Sequence, residues 1–314
     1  MNITDRYICR NFLRFITVFM NSFTIGDIEN LTNIKAHTLR IWEQRYGICS
    51  GKRKDSNHRY YDGDDLKQIL RVAWLYHNGF KISHIACLTP EEIREKALST
   101  KGDDGGYASH INQMLEASID FDTETFNKVL ENAFKSFGVE NCVLEVVFPF
   151  LNKLGLFWLT GHVIPAQEHF ASAIITQKLL RAIDEIPTAE GGKTNRNVVL
   201  FTPVGEHHEI PLLFMQYLLR KNRVPHVYLG ADIKLEVLDY YCRHQPASQL
   251  YFHIITNLTR LDINEYLQKL SDHFSNKEIF CSGVSLNAVD NPPGNVRILR
   301  KSEELRQFAN WPIG

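Results

Sequence analysis

One loop of this chain carries side chains that could bind a metal ion. The segment TPVGEHHEIP (202–211) directly follows a short apolar run and contains Glu206 and His208. A histidine in a strand-to-helix loop lies at the carboxyl end of a parallel sheet, where open α/β folds bind ligands. A neutral imidazole in that place can ligate a transition metal, including cobalt held in a macrocycle. His208 is therefore a candidate metal ligand.

A second segment, FWLTGHVIPAQEHF (157–170), combines an aromatic side chain with an acid and a base. Trp158 stands ten residues before the adjacent pair Glu168 and His169. A buried histidine or a core tryptophan would explain either segment in simpler terms. Each pattern is therefore weak when it is taken alone.

A third group of residues has the chemistry of phosphate binding. Between Ile34 and Tyr60 there are seven Lys and Arg residues and two acids, while the whole chain has a net charge of −1. Because phosphate neutralisation supplies most of the nonspecific affinity for nucleic acid, this local excess indicates double-stranded DNA as a partner. The predicted DNA-contacting residues are Lys35, His37, Thr38, Arg40, Arg45, Lys52, Arg53, His58, Arg59 and Tyr60.

The elements that would position these cations form a helix-turn-helix. Thr24 can cap a short helix over 24–31, with Asp27 in the capping-box position, and a second helix is predicted over 35–46. In such a motif the second helix enters the major groove. The basic segment 51–61 then has the pattern of a β-hairpin wing. The predicted apolar face of the second helix is Leu39, Ile41 and Trp42.

Two turn-rich segments, KGDDGGYAS (101–109) and TAEGGKTN (188–195), divide the rest of the chain. Between them apolar residues recur at helical spacing, which predicts a helical bundle. After them, apolar runs at 198–202, 226–229, 250–255 and 278–283 alternate with amphipathic stretches, which predicts a flavodoxin-like (Rossmann-like) parallel sheet. The fold class is thus mixed α and α/β. The predicted domains are an N-terminal extension (1–22), a winged helix-turn-helix (23–98), a helical bundle (108–187) and an α/β domain (196–314).

Composition places the chain among soluble globular proteins, with 44% hydrophobic and 23% charged residues. Its six cysteines are dispersed without a CxxC pair, which is typical of the reducing cytosol. The apolar run FLRFITVFM (12–20) is interrupted by Arg14 and is far shorter than the ~20 residues of a membrane span. We therefore expect a cytoplasmic protein without a membrane partner.

The N-terminal third resembles the MerR-type winged helix-turn-helix domain. The segment FTIGDIENLTNIKAHTLRIWEQRYGI followed by NHRYYDGDDLKQILRVAWL carries the resemblance, which covers residues 23–90. It implies a homodimer, or a higher homo-oligomer, that reads a two-fold operator. It also implies that Arg40 and the wing residues Arg53, His58, Arg59 and Tyr60 contact the DNA backbone. RNA polymerase is a further candidate partner.

The remaining two blocks resemble the cobalamin-binding modules of methionine synthase and of the CarH/LitR-type photoreceptor repressors. The order of all three blocks matches the latter group. The resemblance assigns Trp158, Glu168 and His169 to the upper face of the corrin and His208, with Glu206, to the lower axial ligand. It implies a cobalamin held between the bundle and the α/β domain. The cofactor-binding residues that it implies are Trp158, Glu168, His169, Glu206, His208, Thr256, Leu258 and Gly283.

Four positions depart from the cobalamin-binding pattern. Pro211 replaces a glycine of the axial loop, Thr256 replaces the serine of a later S-x-L motif, and Ser282 replaces the first of two glycines. These changes crowd or alter the slot for the nucleotide tail, so weaker binding is expected. Leu159 stands where light-sensing members have a second axial histidine, so no stable bis-histidine adduct is expected after illumination.

Three functions are therefore distinguished. The first is a DNA-binding transcription regulator controlled by a cobalamin. The second is the same regulator with a degenerate pocket that serves as a scaffold or senses another ligand. The third is a cobalamin-dependent methyl-carrier component, but a DNA-reading head has no use there. Because the chain also lacks a nucleophile–base–acid constellation, we expect that it is not an enzyme.

Overall fold

The computed structural model describes residues 23–32, 34–53, 59–100, 106–159, 165–187, 196–255 and 262–310. The predicted N-terminal extension (1–22) lies outside these residues. The chain forms two compact units, and the division falls between Ile174 and Ile175.

The first unit begins with two short helices, α1 (Ile25–Thr32) and α2 (Ala36–Tyr46). The predicted cap of α1 is confirmed, because Asp27 N donates to Thr24 Oγ1 at 3.3 Å and Thr24 N donates to Asp27 Oδ2 at 2.7 Å. Helix α2 ends at Gly47, whose φ of 66° is a left-handed conformation that glycine adopts without strain. The helix-turn-helix therefore starts and stops at residues suited to those positions.

The wing is a two-stranded antiparallel hairpin of β1 (Lys52–Arg53) and β2 (Arg59–Tyr60). A long helix, α3 (Gly63–His77), follows, and Asp62 and Asp65 form the capping box at its start. Helices α4 (Ile82–Ile85) and α5 (Pro90–Ser99) complete this domain. Helix α3 packs against both α1 and α5, so it forms the core that holds the helix-turn-helix together.

The predicted helical bundle is also present. Its elements are α6 (Tyr107–Ile119), α7 (Thr123–Cys142), a π-helical turn (Val143–Val147), α8 (Phe148–Leu159) and α9 (Pro165–Asp184). Helix α6 packs against α7, α8 and, across the linker, α3. The winged domain and the start of the bundle therefore share a packed interface.

The second unit contains a five-stranded parallel sheet. Its elements are β3 (Val198–Pro203), α10 (Ile210–Lys221), β4 (His226–Ile233), α11 (Leu235–His244), β5 (Gln249–His253), α12 (Ile263–His273), β6 (Glu278–Ser282), β7 (Val296–Leu299) and α13 (Ser302–Ala309). The strand order is β4-β3-β5-β6-β7, which is the flavodoxin-like order 2-1-3-4-5. The order reverses between β3 and β5, so the crevice at their carboxyl ends is the expected ligand site.

Two details differ from the sequence expectations. The predicted apolar face of α2 is wrong at Ile41, which is 44% exposed, while Leu39 and Trp42 are buried. The strand β7 was not predicted, because its four residues VRIL begin with a single buried valine and include an exposed arginine. Among the helices that the structure describes, none is sufficiently long and apolar to cross a membrane.

Candidate DNA-binding surface and candidate ligand site

Helix α2 presents a polar face to solvent. Lys35 at its N-cap, His37, Arg40 and Arg45 are exposed, and Thr38 is partly exposed. The opposite side of the helix is anchored, since the Trp42 ring meets the Tyr76 ring of α3 edge-on at 4.8 Å. The predicted DNA-contacting residues of α2 therefore lie on the accessible side of a fixed helix.

Some of the predicted DNA-binding cations form ion pairs within the protein. Lys35 Nζ lies 2.9 Å from Glu29, and Arg59 Nε donates to Glu43 Oε2 at 2.9 Å. Lys52 Nζ pairs with Asp62 at the start of α3. The Arg59–Glu43 pair joins the wing to α2, so it orients these two elements relative to each other. Sequence reasoning missed this role, because the partners are 16 residues apart.

Arg40 and Arg45 have no ion pair among the residues that the structure describes. Tyr60 is partly exposed on β2. His58 lies outside the described residues, and for Arg53 the backbone is described but the side chain is not. Among the described side chains of α2 and the wing, the exposed cations are therefore concentrated on α2.

The candidate metal ligand His208 is held by a buried carboxylate. Both the amide and Nδ1 of His208 contact Glu206 Oε1, at 2.9 and 2.5 Å. The Glu206 side chain is 1% exposed, whereas that of His208 is 44% exposed. A carboxylate at this distance favours the tautomer with the proton on Nδ1, which leaves the ring lone pair on Nε2. The geometry thus produces an exposed imidazole with a defined coordinating atom.

Glu206 is itself fixed by the strands on both sides of the crevice. Its Oε2 accepts from the amide of Ile255, just beyond β5, at 2.7 Å. Its carbonyl accepts from Thr202 Oγ1 at 2.5 Å, and the same hydroxyl accepts from the Asp232 amide at 3.1 Å. The Glu206–His208 pair therefore stands at the point where the strand order reverses.

Near this pair lies a polar cluster of three side chains, in which Tyr251 and Ser282 are buried and His253 is partly buried. Ser282 Oγ lies 2.7 Å from His253 Nδ1 and 2.6 Å from Tyr251 OH. Burial lowers the pKa of His253 to about 4, although Glu206 acts in the opposite direction. His253 is thus neutral at physiological pH. The cluster supplies the Ser282 hydroxyl with partners, which explains how a polar side chain is accommodated at this buried position.

Gly283 permits a close approach of two backbone segments. Its φ is 123°, and a Cβ built on it would lie 2.0 Å from the carbonyl oxygen of Ile254. No other residue fits there without moving the segment beyond β5. Pro211 lies in the first turn of α10, where its missing N–H would have no helical partner in any case.

Two of the three predicted upper-face residues, Glu168 and His169, lie at the start of α9. Glu168 Oε1 accepts from Ser172 Oγ at 2.6 Å, and the neighbouring His169 side chain is 77% exposed. Trp158 is on α8, but its side chain is not among those described. Thr256 and Leu258 lie outside the described residues.

The winged domain and the bundle are joined by ion pairs that the sequence did not reveal. Arg71 of α3 makes two bonds to Glu116 of α6, with Nε at 3.0 Å and Nη2 at 2.5 Å from its oxygens. Lys67 Nζ lies 2.8 Å from Asp120. The buried Gln167, next to Glu168, donates to the carbonyl of Ile119 at 2.9 Å. These contacts connect the start of α9 to the core helix of the winged domain.

Comparison with known proteins agrees with this architecture. Residues 23–92 match the MerR HTH family regulatory protein pattern, and residues 110–182 match the B12 binding domain. The chain is 29% identical over 222 residues to the HTH-type transcriptional repressor CarA of Myxococcus xanthus, covering 69% of this chain and 71% of that protein. It is 26% identical over 223 residues to the repressor CarH of the same organism, covering 69% and 73%.

A solved structure supports the fold of the C-terminal part. The Methanosarcina barkeri monomethylamine corrinoid protein aligns with a TM-score of 0.51 at 12% identity. The alignment covers 62% of this chain and 94% of that one. At this identity the likeness establishes the fold alone, a helical domain followed by a Rossmann-like sheet.

Proposed function

We propose that this chain is a MerR-type transcription regulator with a B12-binding module, that it binds a cobalamin through His208, and that this binding regulates its binding to DNA. It is a DNA-binding regulator and not an enzyme, as the comparison with the CarA and CarH repressors indicates. The observation that carries the cobalamin proposal is the pair of buried Glu206 and exposed His208 at the reversal of strand order.

The donor set fits a corrinoid. A cobalt ion held in a macrocycle needs one axial donor from the protein, and a neutral imidazole supplies it. Glu206 holds the His208 ring through Nδ1, which directs Nε2 as the donor and raises its basicity. A bound cobalamin would supply the coloured, ligand-sensitive cobalt centre. The chain's own part is to present one oriented nitrogen at the edge of the sheet.

Two residues oppose tight binding. Pro211 and Ser282 add side-chain atoms where the related pattern has glycine, and Ser282 is held in place by Tyr251 and His253. Steric crowding near a backbone cannot relax without moving a strand. We therefore expect binding that is measurable but weaker than in proteins with both glycines.

The proposed partner is duplex DNA bound by a homodimer or a larger homo-oligomer. One helix-turn-helix reads too few base pairs for useful selectivity, and a symmetric dimer sets the spacing of two half-sites. RNA polymerase is proposed as a further partner, because the regulated step is transcription.

The visible absorption spectrum tests the proposal. Purified protein would be incubated with hydroxocobalamin, methylcobalamin or adenosylcobalamin and separated from free ligand by gel filtration. We expect wild-type protein to retain a cobalamin with a shifted spectrum, and His208→Ala to lose retention or to change the spectrum. His207→Ala is a matched control, because His207 is exposed beside His208 and is not part of the Glu206 pair.

A second candidate function has a specific observation in its favour. The side chains of Tyr251 and His253 both bond to Ser282. Ser282 stands where the related pattern has a glycine beside the nucleotide tail, so this cluster would fill part of that slot, as in a scaffold that has lost its cofactor. If no cobalamin changes its spectrum at saturating concentration, this scaffold, or a sensor of another ligand, replaces the first proposal.

A further inference from the structure

Helix α2 carries two exposed side chains that neither packing nor charge explains. Ile41 is 44% exposed, and Gln44, three residues later, is also exposed. Residues three apart share one face of a helix, with their Cβ atoms about 5–6 Å from each other. His37 and Arg40 lie on the same exposed side. Ile41 and Gln44 therefore form an uncharged patch beside the cations.

Packing does not require this patch. The side of α2 that contacts the domain core is made by Leu39 and Trp42, which are 2% and 4% exposed. A single exposed apolar side chain is common on a protein surface. Ile41 is distinguished by its place, because it shares the exposed face of α2 with His37, Arg40 and Gln44, and DNA bound to those cations would cover it. The occupant that the cations of α2 select is duplex DNA.

The chemistry of the patch matches one kind of base pair. In the major groove thymine presents a C5-methyl group, which apolar side chains contact, and adenine presents N6 and N7, which a Gln amide can contact together. Guanine instead favours Arg or Lys. Stacked bases are 3.4 Å apart along a strand, so two side chains on one helical face reach the same or neighbouring pairs.

We propose that Ile41 and Gln44 are specificity-determining residues that read A·T base pairs in each half-site of the operator, Ile41 at a thymine methyl and Gln44 at an adenine edge. The proposal rests on the DNA-binding role of α2. Arg40 and the wing then supply affinity through phosphates, whereas this patch supplies sequence preference.

Single-atom changes in the DNA test the proposal without altering the protein. A binding site would be selected from a random duplex pool with the full chain, in parallel with and without adenosylcobalamin. Each thymine would then be replaced singly by deoxyuridine, which lacks only the methyl. At one or more positions per half-site we expect wild-type affinity to fall about fourfold, the value of one buried methyl group.

Protein variants at the two residues are then tested on the same modified sites. Ile41→Ala should bind the thymine and deoxyuridine sites equally at those positions, whereas Val237→Ala, at an exposed apolar residue of α11, should behave like wild type. Single 7-deazaadenine substitutions remove N7 and should weaken wild type about threefold to tenfold, but should not affect Gln44→Ala.

Three results would overturn the base-reading proposal. The first is wild-type binding that is insensitive to deoxyuridine at every thymine. The second is an Ile41→Ala variant that keeps the wild-type sensitivity. The third is a pool that enriches no sequence. If the pool enriches nothing but Arg40→Ala still weakens binding to random duplex, DNA binding stands and only base reading fails. If the pool enriches nothing and Arg40→Ala binds random duplex as tightly as wild type does, the DNA-binding role of α2 fails as well.

Discussion

At His208 the position of one proton decides which ring nitrogen can coordinate a metal. Glu206 is buried with both oxygens engaged, one by His208 and one by the Ile255 amide. Since the Glu206 side chain cannot rotate without losing these bonds, the His208 ring has one preferred orientation and tautomer. The carboxylate is thus a positioning group for the proposed ligand.

Glu206→Gln tests this positioning role. The amide keeps the size of the side chain but removes its charge, so Nδ1 of His208 loses a charge-assisted bond. We expect cobalamin affinity to fall about tenfold to a hundredfold, the usual effect of removing a partner of a metal-bound histidine. Spectral titration measures this effect. Glu209→Gln is the control, because Glu209 accepts from Tyr228 rather than contacting His208; equal losses in both variants would contradict the assignment.

His253 confers a pH dependence on stability. Its pKa is lowered by burial from 6.5 to about 4, so below pH 6.5 the unfolded chain takes up a proton that the native state refuses until about pH 4. The contribution of neutral His253 to the free energy of unfolding is therefore fully present above pH 6.5. It is lost as the pH falls to about 4, which lowers the free energy of unfolding by about 3 kcal/mol.

Urea unfolding of the α/β unit at several pH values measures this loss. Because other groups titrate as well, the comparison is the difference between wild type and His253→Gln, which keeps a polar partner for Ser282 but does not titrate. We expect the two stability curves to diverge from each other between pH 6.5 and 4. Parallel curves would show that the pKa of His253 is the same in the folded and the unfolded chain, so that burial does not lower it.

At the scale of elements, two ion pairs connect α3 of the winged domain with α6 and the residue that follows it. The Arg71–Glu116 pair is bidentate and only 18% and 21% exposed, so it is stronger than an ordinary surface pair. A double-mutant cycle with Arg71→Met and Glu116→Gln should give a coupling free energy of about 1–2 kcal/mol in thermal or urea unfolding. A coupling near zero would mean that helix packing alone holds these elements together.

At the surface of α2 and the wing, the loss of one cation is expected to weaken binding to DNA. Arg40→Ala should lower operator affinity by about 1–3 kcal/mol while the domain stays folded, and binding should weaken steeply with added salt.

Arg59→Ala should also lower operator affinity, and the Arg59–Glu43 pair implies that part of the effect comes from a misplaced wing. Gel-shift titrations at several salt concentrations measure both, and Glu43→Gln separates wing positioning from phosphate contact. If Arg40→Ala and Arg59→Ala each bind the operator as tightly as wild type does, α2 and the wing are not the DNA-binding surface.

For the whole molecule, the prediction concerns stoichiometry on DNA. A single helix-turn-helix contacts one half-site, so we expect at least two chains on a palindromic or directly repeated site. Light scattering of the protein–DNA complex gives the number of chains. A strictly monomeric complex would contradict the proposed assembly.

Local sequence signals were sufficient to predict much of the secondary structure and part of the candidate ligand site. Thr24 and Asp27 mark the start of α1 by their side-chain chemistry, and alternating apolar runs identified four of the five strands near their observed bounds. The pair Glu206 and His208 was recognisable because its two members are two residues apart and the loop directly follows a strand. Signals of this kind are read within one turn or one strand, so the linear sequence contains them.

Only the tertiary structure decided which faces and which distant partners matter. Ile41 was assigned to the apolar face with Leu39 and Trp42 because all three are apolar and close in sequence, and its exposure became evident only from the packing of α2 against α3. Arg71 and Glu116 are 45 residues apart, and Lys67 and Asp120 are 53 residues apart, so both contacts depend on how the helices dock. Hydrophobic periodicity specifies that a helix has a buried side, but the rotation of that side is set by shape complementarity with its neighbours, which no single segment contains.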